Sequence, residues 1–215
     1  EENYLMQKLA RTAGHTNNID QCATTSHAPT VAGLASSLGS GAMTNAIREI
    51  RNVQTLFLIG ANPTEAHPIV GLEMKKALRR GARLIVCDPR DTWMARHADI
   101  HIKHRPGTDN FLVNAMMNHI VKKDLHDNEF VVTRCENFEA FRANLAGYSL
   151  EDAARVCGVD AELIRRAAEW YAAGTPSSIF YTLGITEHTC GTENVQNLAN
   201  LAMLCGQIGK PSSGV

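Results

Sequence analysis

The amino-acid sequence predicts an α/β fold: one domain with an open, mostly parallel sheet and helices on both faces, an αβα, Rossmann-like arrangement. Two continuous apolar runs, at residues 55–59 and 83–87, are typical of strands buried on both faces, as in parallel sheets. The amphipathic segment 67–80 lies between them and is followed by Gly81, which completes a βαβ unit. Strands and helices continue to alternate towards the C-terminus, and about four strands are too few for a barrel.

Hydrophobic periodicity and capping residues predict the other elements. Ser149 begins a capping-box-like helix that ends at Gly158, and Asp160 caps the helix that follows. A short alternating strand at 98–102 is polar enough to lie near a sheet edge. The remaining predictions are helices at 4–13, 29–38, 42–50, 108–123, 161–173 and 194–206, two short helices within 130–145, and a strand at 178–182.

Composition excludes several classes of protein. The 215 residues are 44% hydrophobic and 20% charged, which is ordinary for a globular chain and excludes a disordered one. The formal net charge is −1 with scattered Lys and Arg, so neither a nucleic-acid partner nor a membrane surface is indicated. No apolar run approaches the roughly 20 residues needed to span a bilayer.

The cysteine pattern indicates a reducing compartment. None of the six cysteines forms a C-x-x-C pair, and the N-terminus lacks a secretory signal pattern, so we expect free thiols and a cytoplasmic location. Close ligand pairs are also what zinc and iron–sulfur sites normally show. A metal site built from this chain alone is therefore not expected.

One polar loop is a candidate for chemistry. Ser26 and His27 stand side by side just before an apolar, helix-compatible segment that contains Pro29. Such a loop delivers a hydroxyl and an imidazole to a helix start. The alternative is structural, because Ser/Thr-rich turns also cap helices that have Pro in the first turn.

A second set of candidates follows the predicted strands. Ligands of open α/β sheets bind outside the carboxyl ends of the strands. Asp88 could hold a ribose or a base edge, and the helix that opens at Gly107 offers free N–H groups to a phosphate. No G-x-G-x-x-G or P-loop motif is present, so an NAD or P-loop site is not favoured, and turns or caps remain the alternative for each residue. The candidates in chain order are Gly60, Asn62, Glu65, Asp88, Arg90, Gly107, Asp109, Leu183, Gly184 and Glu187.

Several segments, taken in order, resemble the molybdopterin-dependent oxidoreductases, and most closely the catalytic alpha subunits of formate dehydrogenases. Each motif is weak alone, whereas the ordered set is specific and runs from end to end of the chain. The segments are Glu2-Asn3-Tyr4, Asn17-Asn18-Ile19-Asp20, Ser26-His27-Ala28-Pro29-Thr30-Val31-Ala32-Gly33-Leu34, Gly60-Ala61-Asn62-Pro63, His67-Pro68, Cys87-Asp88-Pro89-Arg90, Gly107-Thr108-Asp109 and Gly209-Lys210-Pro211.

The resemblance implies a cofactor and a reaction. These enzymes carry a bis-(molybdopterin guanine dinucleotide) centre of molybdenum or tungsten and oxidise formate to carbon dioxide. This segment is then the αβα domain that holds one pterin dinucleotide, with Ser26 at the position of the metal ligand and His27 assisting proton transfer. By the same resemblance Gly60, Asn62 and Glu65 line the guanosine and phosphate region, Asp88 and Arg90 contact the guanine nucleotide, Gly107 and Asp109 complete that pocket, and Leu183, Gly184 and Glu187 lie near the pterin.

The sequence departs from this pattern at Ser26. Formate dehydrogenases have selenocysteine or cysteine there, and a hydroxyl is a harder, far less acidic and poorer soft ligand. His27 and Pro29 fit the formate branch, so we expect a replaced chalcogen residue. Two alternatives remain: a serine-ligated molybdopterin reductase, and a non-catalytic scaffold homologue such as the large iron–sulfur subunit of NADH–quinone oxidoreductase.

The resemblance also predicts missing parts. We expect a fragment whose first 20 or so residues are the tail of a preceding domain. The [4Fe-4S] cluster, a catalytic arginine and the domain for the second dinucleotide would lie outside it, with formate, the other domains and electron-transfer subunits as partners. The isolated chain would then be inactive. A stand-alone nucleotide-binding module is the remaining alternative.

Overall fold

The computed structural model describes all 215 residues. Its strands are β1 (Thr55–Ile59), β2 (Arg83–Cys87), β3 (Ile100–Ile102) and β4 (Ser177–Tyr181). Its helices are α1 (Glu2–Thr12), α2 (Ala28–Leu38), α3 (Pro63–Ala66), α4 (Pro68–Arg79), α5 (Trp93–Arg96), α6 (Asp109–Lys122), α7 (Asn128–Arg134), α8 (Phe138–Leu145), α9 (Leu150–Cys157), α10 (Ala161–Ala173), α11 (Leu183–Thr186) and α12 (Gly191–Leu204). Two 3₁₀ helices cover Cys22–Thr25 and Ile47–Asn52.

The four strands form one parallel sheet in the order β3-β2-β1-β4. Thr55 of β1 pairs with Arg83 of β2 on one side and with Ser177 of β4 on the other. All five residues of β1 are buried, as expected for a central strand covered on both faces. The predicted open parallel sheet is confirmed, and β1 and β2 have the predicted bounds.

Two hydrophobic cores lie on opposite faces of the sheet. Phe57 and Ile59 of β1 point into the larger core, which α6, α9, α10 and α12 cover. Leu56 and Leu58 point the other way, into a smaller core completed by Met74 of α4 and residues of α5. Because successive strand residues alternate between faces, a fully apolar strand requires a helical layer on each side. This accounts for the αβα arrangement.

Helix α2, which carries the Ser26-His27 loop at its N-terminus, packs closely on α12. A Cβ at Gly33 would lie 2.7 Å from the side chain of Val195, so the two helix backbones meet at a glycine. Leu34 is buried beside it. The loop before α2 is thereby tied to a helix of the larger core.

The helix predicted at 42–50 is wrong. Only the 3₁₀ helix at Ile47–Asn52 forms, and the residues before it are irregular. Thr44 N–H donates to the Val215 carbonyl (3.0 Å), and Asn45 Nδ2 donates to the Lys210 carbonyl (2.9 Å). Glu49 accepts from Ser212 N–H (2.7 Å), which is the main cause of its lowered pKa. Bonds to a distant segment thus replace the helical ones.

Helix α1 lies outside both cores. None of its residues is buried, and Tyr4, Leu5, Met6 and Leu9 are all more than half exposed. Its assignment to a preceding domain stays a prediction. No helix in the structure is both long and apolar enough to cross a membrane.

Smaller differences from the predicted elements are local. The short helices α3, α5 and α11 are not among the predicted elements, β3 is shorter than 98–102, and α12 begins at Gly191 rather than at 194. The two short helices within 130–145 form as α7 and α8, and Ser149 Oγ accepts from Asp152 N–H at the start of α9, as predicted.

Candidate functional site

The predicted site residues gather at one edge of the sheet, where all four parallel strands end. The connection through α4 takes the chain from β1 to β2 on one side, whereas β4 lies on the other side of β1. The order of strands therefore reverses between β1 and β4. A crevice at such a reversal is where open α/β sheets bind their ligands.

Gly60 and Gly184 meet at this reversal. Gly184 N–H donates to the Gly60 carbonyl (3.1 Å), which also accepts from Thr182 Oγ1 (3.1 Å). A Cβ at Gly60 would lie 2.7 Å from the Gly184 carbonyl carbon, and Gly60 has φ +57°, a left-handed conformation. Both facts require glycine. The β1 and β4 ends thus present backbone rather than side chains.

The other predicted residues near β1 and β4 differ in exposure. Asn62 is 9% exposed, and its Oδ1 accepts from Thr64 Oγ1 (2.9 Å). Glu65, in α3, and Glu187, just after α11, are exposed, and Leu183 is 39% exposed. These three side chains are exposed to solvent on the segments that follow β1 and β4.

Asp88 is the buried acid at the end of β2. It is 4% exposed, its carbonyl accepts from His101 Nε2 (2.9 Å), and its Oδ1 accepts from Arg90 N–H (2.8 Å). The Arg90 guanidinium lies 3.8 Å from the same oxygen, with its side chain 66% exposed. The carboxylate is therefore oriented by the protein, while the guanidinium extends towards solvent.

A second buried acid, Asp109, faces two histidines that the sequence analysis did not single out. His104 Nε2 lies 2.7 Å from Asp109 Oδ1, and His188 Nε2 lies 3.9 Å from Oδ2. His188 donates to the Gly184 carbonyl (2.8 Å), so it links the β3 end to the β4 end. His104 follows β3 in the same loop as Gly107, which is exposed with φ +83°. The strand-end rule, applied to this strand, selected Gly107 and Asp109 but not His104, which lies closer to the end of β3.

The nearby thiols are not suited to binding a metal. Burial, and then the charge of Asp109, raise the pKa of Cys87 well above its usual range, and burial raises the pKa of Cys157. No three His, Cys, Asp or Glu side chains are grouped so as to hold a metal ion.

The Ser26-His27 loop borders an apolar cavity of about 250 Å³ beside β4. His27 lines this cavity together with Ala61, Thr182 and Tyr181. The His27 ring is half-buried, and its Nδ1 lies 3.0 Å from Thr30 Oγ1, one turn into α2. Ser26 ends the 3₁₀ helix Cys22–Thr25, and its backbone N–H donates to the Ala23 carbonyl. The loop therefore reaches the β1–β4 end of the sheet.

The structure thus arranges the predicted residues in two groups. The β1–β4 group contains Gly60, Asn62, Gly184 and the His27 cavity, and the β2–β3 group contains Asp88, Arg90 and Asp109. His188, in contact with both Gly184 and Asp109, connects them.

Comparison with known proteins identifies relatives along the whole chain. The family model described as molybdopterin oxidoreductase matches residues 1–215. Formate dehydrogenase H of Escherichia coli is 46% identical over 215 residues, and the F420-dependent formate dehydrogenase subunit alpha of Methanocaldococcus jannaschii is 44% identical. This chain is covered completely in both alignments but spans only 30% and 32% of those proteins.

A solved structure supports the same relationship. Acetylene hydratase from Pelobacter acetylenicus superposes with a TM-score of 0.79 at 29% identity, over 86% of this chain and 25% of that one. The fold of this chain is therefore that of a solved structure, and the family match covers the same residues. The chain belongs to the molybdopterin oxidoreductase family.

Proposed function

We propose that this chain is the αβα domain of a formate dehydrogenase catalytic subunit, holds one molybdopterin guanine dinucleotide of a molybdenum or tungsten centre, and is inactive alone. The proposal is supported by the family match over residues 1–215 and by identities of 42–46% to formate dehydrogenase H and to three F420-dependent formate dehydrogenase alpha subunits. The chain spans about a third of the length of these relatives, so the activity of a complete protein is part of the proposal.

One observation carries the proposal. The loop with His27 and the backbone contact between Gly60 and Gly184 lie at the same point, where the strand order reverses. A ligand in this crevice would extend from His27 past the glycines to the acids beyond β2. A dinucleotide would lie there with its reactive end at His27 and its nucleoside at Asp88 and Asp109.

The residues at the edge fit such a cofactor. Two buried acids can accept from the N–H and hydroxyl groups of a nucleoside, and the glycine contact lets a flat or phosphorylated group approach the backbone closely. The lack of a protein cluster of metal ligands is compatible with a metal that the cofactor itself holds. When bound, the centre would supply the two-electron redox chemistry.

Each predicted residue then has a binding role. The Asp88 carboxylate and the exposed Arg90 guanidinium would hold the guanine nucleotide, with Asp109 beside them. Gly107, which opens α6, would leave N–H groups of the first turn free for a phosphate. In the same proposal Gly60, Asn62 and Glu65 line the guanosine and phosphate region, and Leu183, Gly184 and Glu187 lie near the pterin.

His27 would handle the proton released as formate becomes carbon dioxide. When Nδ1–H donates to Thr30 Oγ1, the neutral ring leaves Nε2 as a proton acceptor facing the cavity. The His27 ring lines the cavity, and this nitrogen would meet the substrate there.

Ser26 is the position at which the proposed centre departs from the formate dehydrogenases that the sequence resembles. A hydroxyl is a poor ligand for a soft metal compared with a thiolate. The test is formate-dependent dye reduction by the full-length protein and its Ser26→Cys variant. Ser26→Cys should raise the rate at least about tenfold, a barrier change of about 1.4 kcal/mol. Ser40→Cys, at an exposed position beyond α2, is the control and should change nothing. Equal rates in all three proteins would contradict the proposed role of position 26.

The hydroxyl of Ser26 also favours a second candidate. A serine-ligated molybdopterin reductase, or a scaffold member that binds no metal, would keep this fold without a chalcogen ligand. A Ser26→Cys variant that loses reductase activity would support the first of these, and a full-length protein without metal or pterin would support the second.

The proposal includes surroundings that the chain itself does not contain. We propose that the full subunit carries a [4Fe-4S] cluster and passes electrons to partner subunits. The six free cysteines fit a reducing compartment, and we propose the cytoplasm.

A further inference from the structure

His104 is a buried histidine with both nitrogens in contact with acceptors. It is 2% exposed, its Nε2 lies 2.7 Å from Asp109 Oδ1, and its Nδ1 lies 3.4 Å from the Ile102 carbonyl. A carboxylate only accepts hydrogen bonds, so Nε2–H of His104 donates to Asp109 Oδ1. The contact with Asp109 is then a short charge-assisted hydrogen bond.

Asp109 needs such a partner because its carboxylate is buried. Asp109 is 4% exposed and is the first residue of α6, where the helix dipole favours a negative charge. An unpaired buried charge would be costly. With Oδ1 engaged by His104, the side chain has one orientation, and Oδ2 points to the side of His188.

His188 leaves Oδ2 available. Its Nε2 donates to the Gly184 carbonyl at 2.8 Å, whereas the separation from Asp109 Oδ2 is 3.9 Å, beyond a hydrogen bond. Oδ2 therefore keeps its accepting capacity on the side of the β4 end. That is the side on which Gly184 meets Gly60.

We propose that His104 is a positioning residue: it fixes Asp109 so that Oδ2 accepts a hydrogen bond from an N–H or hydroxyl group of a bound nucleoside. The inference rests on the proposed function, because it assigns a role in nucleotide binding at the same edge. His104 itself does not touch the ligand. It acts through the orientation and the charge balance of Asp109.

Binding of guanosine diphosphate to the purified 215-residue chain, measured by calorimetry, tests the inference. His104→Leu should weaken binding about tenfold, since hydrogen bonds to charged groups are worth that much. His104→Gln, which can place an amide N–H near the Nε2 position, should recover most of the affinity. His97→Gln is the control, because His97 is exposed, stacks on Trp93 and is remote from Asp109.

A double-mutant cycle distinguishes positioning from general stability. If His104 acts through Asp109, His104→Leu should have no further effect in an Asp109→Asn background, where the buried charge is absent. If His104→Leu alone fails to fold, the substitution can still be made in the Asp109→Asn background, where it leaves no buried charge unpaired. An equal loss of affinity in both backgrounds would overturn the inference.

Proton NMR provides a readout that does not depend on a ligand. The wild-type chain should show a downfield, slowly exchanging Nε2–H signal of His104 that disappears in Asp109→Asn, and its absence would overturn the inference. If the wild type binds guanosine diphosphate and His104→Leu binds equally well, the inference fails but the proposed function stands. If the wild type does not bind it, the proposed nucleotide site fails, and this role of His104 with it.

Discussion

The two ends of the sheet edge are built from different chemistry. At the β1–β4 end, Gly60 and Gly184 meet through backbone groups beside an apolar cavity. At the β2–β3 end, Asp88 and Asp109 are buried acids held by hydrogen bonds. A close-packed backbone contact has no space for an added atom. A buried charge is affected less by a small change of shape than by the loss of its hydrogen-bond partner. We therefore expect mutations at the first end to act through stability and those at the second through binding.

The largest expected effect is at the glycine contact. Gly60→Ala should destabilise the chain by about 3 kcal/mol, since the left-handed φ and the contact with Gly184 both oppose a side chain. Urea unfolding measures this. Gly81→Ala is the matched control: Gly81 has φ +90° but open space around its Cβ position, so only about 1–2 kcal/mol of backbone strain should appear. An equal loss of unfolding free energy in the two variants would show that the contact between Gly60 and Gly184 does not contribute to stability.

Asp88→Asn should affect binding more than folding. The substitution removes the negative acceptor at the end of β2 but keeps a similar shape, so guanosine diphosphate affinity should fall about tenfold. Asp91→Asn is the control in the same loop, because Asp91 is 62% exposed and pairs with Lys103 at the surface. Loss of affinity in the control alone would reverse the assignment of the two acids.

Glu73 tests whether a charge far from the edge affects stability alone. Two hydrogen bonds from Arg51 (2.6 and 2.9 Å), and then one from Lys76, lower its pKa. A lowered pKa in the folded state contributes stability above the unfolded value of about 4.3, and this is lost as pH falls through the folded pKa. Glu73→Gln should therefore flatten the acid limb of the stability–pH curve, measured by urea unfolding, and leave nucleotide binding unchanged. A steeper acid limb would contradict the pairing.

The smallest expected effect is at Thr30. Thr30→Val removes the hydroxyl beside His27 Nδ1 and should change stability by less than about 1 kcal/mol. Nitrogen NMR should show the His27 ring losing its preference for one tautomer, whereas Thr30→Ser should keep it. An unchanged tautomer in the valine variant would show that Thr30 does not orient the ring.

Local patterns predicted the framework well, and tertiary contacts account for what they missed. The bounds of β1 and β2 follow from uninterrupted apolar runs, which need no knowledge of the rest of the chain. Residues 42–50 also have helical periodicity, but Thr44 and Asn45 bond to the C-terminal segment instead. That competition cannot be seen in a short window of sequence.

The candidate site could likewise be predicted only in part from the sequence. Asp88 and Asp109 could be singled out because they follow strands, and the structure brings both to one edge. The contact of Gly60 with Gly184 joins distant parts of the chain. The pairing of His104 with Asp109 depends on how the loop after β3 folds onto α6, so a lone histidine in sequence gave no sign of it.

The central claim is that this edge holds a pterin dinucleotide with its metal near Ser26 and His27. The most direct test is the metal, pterin and guanine nucleotide content of the full-length protein purified from its native source. The proposal predicts one molybdenum or tungsten per protein, pterin fluorescence after oxidation, and guanine nucleotide released by acid. A protein without metal, pterin or guanine nucleotide would contradict it and leave the fold as a scaffold.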